Sequence, residues 1–495
     1  MSEIRMREAS TPAEPCDLPA RDARRLIGTR QLSPVALLES CMARIEQVNP
    51  AVNAIVTASF ERARAEARAA EQAVMAGEAL GPLHGLPVAI KDNQSTEGIR
   101  TTQGSPELVG HVPTEDCGIV AAIRNAGGIV IGKTNIPEFS IGANTVNRLF
   151  GATGNPFDPT LTCGGSSGGS AVAVACGMAP LATGSDHGGS LRIPASFCGV
   201  VGHRSSPGVV PNEGRVLAQT FYSTQGPMAR TVGDAALLLS VIARRSDQDP
   251  MAFPLDPAAL AEPQAVDTSR LRVAVSADLG GVLVSDAIRR TFEDRVARIA
   301  PLFGASAWHA IDLRDGPDTD WKLRAEIFVA QYHRDIDRYG PDLNPNIRAS
   351  YGAALGMRMQ DVAVAKRRQM ELCQTFARVF DSYDLLICPT VSVSPFPWRE
   401  LYPATVDGRA IETYMEWLAL TSSLTVVGHP VTALPCGRDS AGMPFGLQIV
   451  GRRYADRFVL GAALALERAS AGDPVLAQPR PDIEALAAAE PITAG

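Results

Sequence analysis

The chain has 495 residues, of which 45% are apolar and 20% charged, and its formal net charge is −7. Those proportions suit a packed globular protein with a large core. The acidic balance excludes a general nucleic-acid binder, which needs a concentrated basic surface. Nine cysteines occur singly, without CxxC spacing, which excludes the usual zinc frameworks and fits free thiols in a reducing compartment.

Residues 1–19 are polar and proline-bearing, without the apolar stretch of a signal peptide, so a tail and a cytoplasmic protein are expected. Ser33-Pro34 reads as an N-cap and first helical residue, opening a helix to about Val48. A second helix is expected over Phe60 to Ala76, then a short buried strand over Val88 to Lys91. Further on come a helix (Cys117 to Ala126), a strand (Gly128 to Ile131), a helix after Gly169, a strand (Pro180 to Thr183) and a helix (Val232 to Ile242). The longest apolar run, Ala235 to Ala243, is about half of a membrane span. Arg244 to Thr268 is dense in Pro, Asp and Ala and reads as a linker. Beyond it the pattern gives a strand at Leu271 to Ser276 and helices at Asp286 to Ala300, Asp320 to Tyr339 and Val362 to Phe380. Strands follow at Asp384 to Cys388, Pro430 to Leu434 and Gly446 to Val450, and a helix at Asp456 to Glu467. Alternating strands and helices predict an α/β fold, a mixed β-sheet core covered by helices on both faces. The strands before and after the helical insert look alike, which favours one continuous domain over two.

Two motifs imitate well-known sites. Gly127-Gly128-Ile129-Val130-Ile131-Gly132-Lys133-Thr134 matches the phosphate-binding P-loop pattern, yet its interior is apolar and β-branched, and Pro137 interrupts the helix that should follow. Gly164-Gly165-Ser166-Ser167-Gly168 satisfies GxSxG, but Pro159 and polar neighbours make the preceding residues a poor strand for a nucleophile elbow. More informative is the pair of glycine-flanked serines, Ser166 and Ser190, 24 residues apart, with a lone lysine, Lys91, ending the apolar run Leu86 to Ile90. A buried lysine loses basicity and, when neutral, can accept a proton through a serine. An ordinary Lys91–Asp92 pair is the plainer alternative.

Several motifs lie in order: Val88-Ala89-Ile90-Lys91-Asp92, Gly132-Lys133-Thr134-Asn135, Phe150-Gly151-Ala152-Thr153 and Gly164-Gly165-Ser166-Ser167-Gly168-Gly169-Ser170. Ser190-Leu191-Arg192-Ile193-Pro194-Ala195, Gly226-Pro227-Met228-Ala229-Arg230, Cys388-Pro389-Thr390 and Gly446-Leu447-Gln448 follow. On these the chain resembles the amidase signature family over about residues 20–470. The resemblance implies one catalytic domain with about 80 N-terminal helical residues, a core from about residue 81, a variable helical insertion over about 276–382, and a tail at 471–495. It makes Ser190 the nucleophile, Ser166 a cis-peptide serine and Lys91 the base. It places the oxyanion on backbone amides of His187, Gly188, Gly189 and Ser190, with Asp186 and Arg192 bracing the loop. Ser167 and Ser170 are then loop or helix-cap hydroxyls. The implied activity is hydrolysis of linear amides, extending to carbamates (urethanes) and esters, with no cofactor and no metal. A small-molecule substrate is implied, without nucleic-acid or membrane partners, and a homodimer is compatible with it. The alternative is an amidotransferase A-type subunit with glutaminase activity and partner subunits. Two departures, His187 before the two glycines and Gly202-His203-Arg204-Ser205-Ser206-Pro207, are expected near the pocket.

Overall fold

A computed structural model describes residues 14–334, 336, 338 and 342–492. Its centre is an eleven-stranded sheet. In chain order the strands are β1 (Ile55–Ala58), β2 (Pro87–Lys91), β3 (Ile129–Thr134), β4 (Leu181–Asp186), β5 (Val201–Arg204) and β6 (Thr224–Ala229). They continue with β7 (Arg272–Val275), β8 (Ala305–Trp308), β9 (Leu385–Pro389), β10 (Val431–Arg438) and β11 (Pro444–Val450). In space they run β1-β3-β2-β4-β6-β5-β10-β11-β9-β7-β8. The sheet is mixed: β3-β2-β4 and β9-β7-β8 are parallel, and every other pairing is antiparallel. This is the α/β class that the alternating pattern predicts, with one core running under the helices on the sheet.

The parallel trio fixes the position of the site. From β2 the chain crosses to β3 on one side, then returns to β4 on the other, so β2 is a topological switch point. Crevices outside the carboxyl ends of such strands are where ligands bind in α/β sheets. Lys91 is the last residue of β2, and Asp186 the last of β4. Between β3 and β4, the helix Gly168–Ala175 is buried along its whole length and packs on β2, β3, β4 and β6. Only a residue without a side chain fits at Gly169, where a Cβ would stand 2.4 Å from the Asn135 backbone nitrogen.

The N-terminal helices form as expected. Ser33 Oγ accepts from the Val35 and Ala36 amides and opens Pro34–Val52. That helix runs past Val48 and stops where Asn53 turns left-handed at φ 50°. Ile129–Ile131 do form a strand interior rather than a phosphate loop.

Other expectations are corrected. β1, β5, β6 and β8 carry no sequence signal strong enough to be read as strands; β5 and β6 are held by antiparallel partners on both edges. β4 extends three residues beyond Thr183, because Gly184, Ser185 and Asp186 pair with Gly226, Gln225 and Thr224. Asp158–Thr162, expected to be too polar for a strand, pairs with Gly154–Asn155 in a separate two-stranded sheet. The insertion is not wholly helical, since β8 joins the edge of the main sheet. Its helix Gly316–Tyr332 begins before Asp320, and part of its expected end, at residues 335, 337 and 339, lies outside the described residues. The segment after 470 is no free tail: Ile483–Ala488 is a helix with Leu486 in the core, and Gln478 bonds the Gly199 and Arg230 carbonyls. Residues 1–13 and 493–495, both expected in tails, lie outside the described residues. No helix among the described residues is long and apolar enough to cross a membrane. All nine cysteines are free, eight of them buried.

Phe445 on β11 is fully buried in the shared core. Phe445→Ala is expected to cost about 3–5 kcal/mol, read as a lower urea midpoint with an unchanged slope.

Candidate active site

Lys91 is completely buried at the end of β2. Its Nζ lies 2.8 Å from Ser166 Oγ and 2.9 Å from Ser185 Oγ. Burial disfavours the ammonium and brings the lysine down to about 7, against an opposing pull from the Asp186 carboxylate. A neutral amine with two hydroxyl neighbours can donate to one and accept from the other. Asp92, the plainer partner, is engaged elsewhere: it accepts from the Thr102 hydroxyl at 2.6 Å and from the Thr102 and Gly104 amides.

Ser166 follows a cis peptide bond, Gly165-Ser166, at the head of the helix Gly168–Ala175. Ser166, Ser185, His187 and Ser190 line one cleft of about 1030 Å³. Ser167 and Ser170 are not cap hydroxyls. Ser170 Oγ donates to the Thr183 carbonyl at 2.8 Å and meets Thr134 Oγ1 at 2.7 Å, while Ser167 Oγ contacts the Ser185 backbone. Both tie the serine loop to β4.

Asp186 organises the loop 186–192. Its carboxylate accepts Arg192 Nε and Nη2, each at 2.9 Å, Arg204 Nη1 at 3.1 Å, and the Gly189 and Leu191 amides at 2.8 and 3.2 Å. All three charged groups are fully buried. Burial alone would raise the carboxyl, but Arg192 and Arg204 override it and hold it far below the usual carboxylate range. Arg192 also donates to the Thr421 carbonyl and to Gln448 Oε1, both at 2.9 Å, so the loop is tied across the sheet to β11. Gly189 has φ +129°, and a Cβ there would stand 2.3 Å from Thr421 Oγ1. A side chain is excluded on both counts.

His187 is half-buried and stacks on Tyr222 with ring centroids 4.9 Å apart. Burial, reinforced by Arg324 and Arg204, lowers its pKa well below the usual value and leaves the ring neutral. Of the two departures expected near the pocket, only His187 borders it. His203 is fully buried, with its nitrogens on Thr432 Oγ1 (2.9 Å) and Asp456 Oδ1 (3.2 Å). Its neighbour Arg204 alternates to the opposite face of β5 and reaches Asp186.

Sequence reasoning missed Ser185, although it directly precedes Asp186 in the stretch Gly184 to Ser190, and it missed the support of Arg204 to Asp186. It also missed a pair on Gly316–Tyr332, where Arg324 Nε donates to Asp320 Oδ2 at 2.8 Å. Gln448 and Thr421 lie more than 200 residues from Arg192, and no local spacing could join them.

A buried lysine and three serines at the carboxyl ends of parallel strands define an α/β enzyme site equipped for proton transfer through hydroxyls. Residues 36–302 and 343–460 match the family model described as Amidase. An acylamidase of Rhodococcus erythropolis is 33% identical over 447 residues, covering 89% of this chain and 93% of that protein. The A-type subunit of a glutamyl-tRNA(Gln) amidotransferase from a Picosynechococcus species is 34% identical over 476 residues, covering 89% and 96%. The crystal structure of a bacterial aryl acylamidase of the amidase signature family superposes with a TM-score of 0.85 at 28% identity, covering 96% of this chain and 99% of that one. The chain belongs to the amidase signature family, hydrolases of amide C–N bonds.

Asp186→Asn would remove the carboxylate that pairs with both buried guanidiniums, Arg192 and Arg204. The expected loss is about 3–5 kcal/mol, visible in chemical denaturation, whereas Asp22→Asn on the surface should change stability by less than about 0.5 kcal/mol.

Proposed function

We propose that this chain is an amidase acting on linear amides through a Ser190 acyl-enzyme. The observation that carries the reading is Lys91, buried, held near neutrality in its titration and 2.8 Å from Ser166 on the cleft that Ser190 lines. In this reading Ser190 Oγ attacks the carbonyl carbon, its proton passes to Ser166, and the Ser166 proton passes to Lys91. The tetrahedral intermediate collapses as the C–N bond breaks and the leaving amine takes the proton back through Ser166. Water then adds to the ester carbonyl by the same relay, and the acid departs as Ser190 recovers its proton.

The Gly189 amide already donates to Asp186, so the oxyanion is assigned to the amides of His187, Gly188 and Ser190, and Gly189 is given a conformational role. Preorganised amides of this kind supply about 3–4 kcal/mol per donor in other acyl-transfer enzymes. Carbamates and esters present the same carbonyl, and the reading extends to them. A second reading, the glutaminase component of an amidotransferase, is favoured by the 34%-identical amidotransferase relative. It requires partner subunits, whereas the first requires none.

Purified protein alone, assayed on glutamine, an aryl anilide and an aryl carbamate, separates the two. Anilide turnover without glutamine turnover supports the amidase; the reverse supports the amidotransferase component. Ser190→Ala should abolish turnover and Lys91→Ala should lower kcat by about 10²–10⁴-fold; near-normal activity in Ser190→Ala overturns the mechanism. Because the base must be neutral, kcat/KM should rise as pH increases through about 7 and level off above it.

A further inference from the structure

A second cavity, of about 580 Å³, lies apart from the cleft of Ser190 and shares no lining residue with it. One wall is a face of the helix Met359–Ala377, where Lys366, Met370, Cys373 and Ala377 recur at three- and four-residue spacing. The floor is aromatic: Phe221, Phe380 and His429, with the rings of the last two stacked at 5.1 Å. Two arginines close the other side. Arg452 lies over the Phe380 ring at 5.8 Å and Arg453 over the Phe221 ring at 5.0 Å.

The cavity is apolar and positive at once. Arg452 donates to the Phe380 carbonyl and Arg453 to the Val427 carbonyl, and among the described residues neither belongs to an ion pair. Lys366 is paired with Glu326 at 2.8 Å, and Asp384, the carboxylate near Arg452, is paired with Arg272 at 3.0 Å. Burial, with help from Arg453 and Arg452 and against its bond to the Gly451 carbonyl, brings His429 down to about 4, so its ring is neutral. Two guanidiniums without a counter-charge beside aromatic faces suit one kind of guest. The planar fork matches a carboxylate, and the rings receive an aryl group.

Two routes join the cavity to the loop of Ser190. Phe221 faces the cavity, while Thr220 and Ser223 of the same segment line the cleft. The Phe221 carbonyl accepts Arg204 Nη2 at 2.8 Å, and Tyr222 stacks on His187. The helix Ala419–Val427 forms the second route. At its end Gln369 and Arg453 donate to the Val426 and Val427 carbonyls at 3.0 and 2.7 Å, and further back its Thr421 carbonyl and Thr425 hydroxyl hold Arg192.

We propose that this cavity is a second binding site, for an aryl carboxylate, and that its occupant slows turnover at Ser190. The second half rests on the hydrolase reading; the first does not. A carboxylate competes with the Phe221 ring for Arg453, and a ring that loses its cation holds the segment 220–223 less firmly against Arg204 and His187. The ligand acts because it binds the two positions of that segment unequally.

Equilibrium dialysis of 1-naphthoate against the full chain and against Ser190→Ala reads binding without turnover. Naphthoate should bind both, with 1-naphthylmethanol and inorganic phosphate each weaker by about tenfold or more. Arg452→Gln and Arg453→Gln should each weaken naphthoate by about tenfold. Binding that neither variant weakens is binding in the cleft and overturns the site; phosphate bound as tightly as naphthoate overturns it too. With an aryl anilide at saturation, naphthoate should lower kcat by about fivefold. Arg453→Gln should show the lowered kcat without naphthoate and no further response to it. Arg452→Gln, on the exposed rim, should keep the parent kcat and respond only at about tenfold higher naphthoate. Inhibition that only raises KM overturns the coupling. If Arg453→Gln does not fold, Arg452→Gln carries the binding and inhibition comparisons. No anilide turnover by the parent, with naphthoate still bound, overturns the hydrolase reading and leaves the site standing.

Discussion

The site depends on one buried carboxylate. Asp186 ends a strand, yet its two oxygens gather two guanidiniums and two amides from the next six residues and from β5. A charge taken out of water at this depth is tolerable only when its lone pairs are filled, and here they are. The consequence is geometric. The chain from His187 to Arg192 must fold back over the carboxylate, which forces Gly189 to positive φ and leaves Ser190 facing the cleft. The same charge reaches Lys91, where it opposes burial, and the lysine titrates near 7 because the two effects partly cancel. Loop shape and base strength therefore share a cause.

The sheet supplies the meeting point. Lys91 and Asp186 lie far apart in sequence but end adjacent parallel strands, on the side of the switch point away from β3. The serine loop reaches the same place because the helix behind it is built of small residues. With Gly169 against the Asn135 backbone, the helix Gly168–Ala175 lies close on the sheet and projects Ser166 toward Lys91.

What could be read from the sequence follows from how local each signal is. Val88 to Lys91 is continuous and apolar, and the lysine at its end was legible as a buried one. Helices with an N-cap such as Ser33 were equally plain. β5 and β6 were not, because Gly202, His203, Arg204, Gly226 and Pro227 have poor strand character. They are strands because each has partners on both sides. Asp186 and Arg192 were legible as a pair from the motif alone. Its complete burial was not, since that depends on Arg204, Thr421 and Gln448, which only the assembled sheet brings in. His203 misled for a simpler reason: adjacent strand residues face opposite sides, so a substitution beside Arg204 points away from the site.

The insertion helix changes how the molecule divides its work. Strand ends and the glycine loop set where Lys91, Ser166 and Ser190 come together, and their geometry is constrained by buried charge and by contacts below van der Waals distance for any added atom. Little there can vary. Gly316–Tyr332 contributes Arg324 and Phe328 to a pocket that Ser190 also lines, and it lies outside the two stretches that the family model matches. Its Asp320–Arg324 pair is i,i+4 on one helix face, so the guanidinium is aimed by its own helix and needs no partner from the sheet. Arg324 also packs on the glycine loop, where a Cβ at Gly188 would stand 2.2 Å from Nη2, so helix and loop are fitted to each other. The insertion thus reaches the pocket that Ser190 lines through its own helix, while Lys91 and Asp186 are held by strand ends of the sheet.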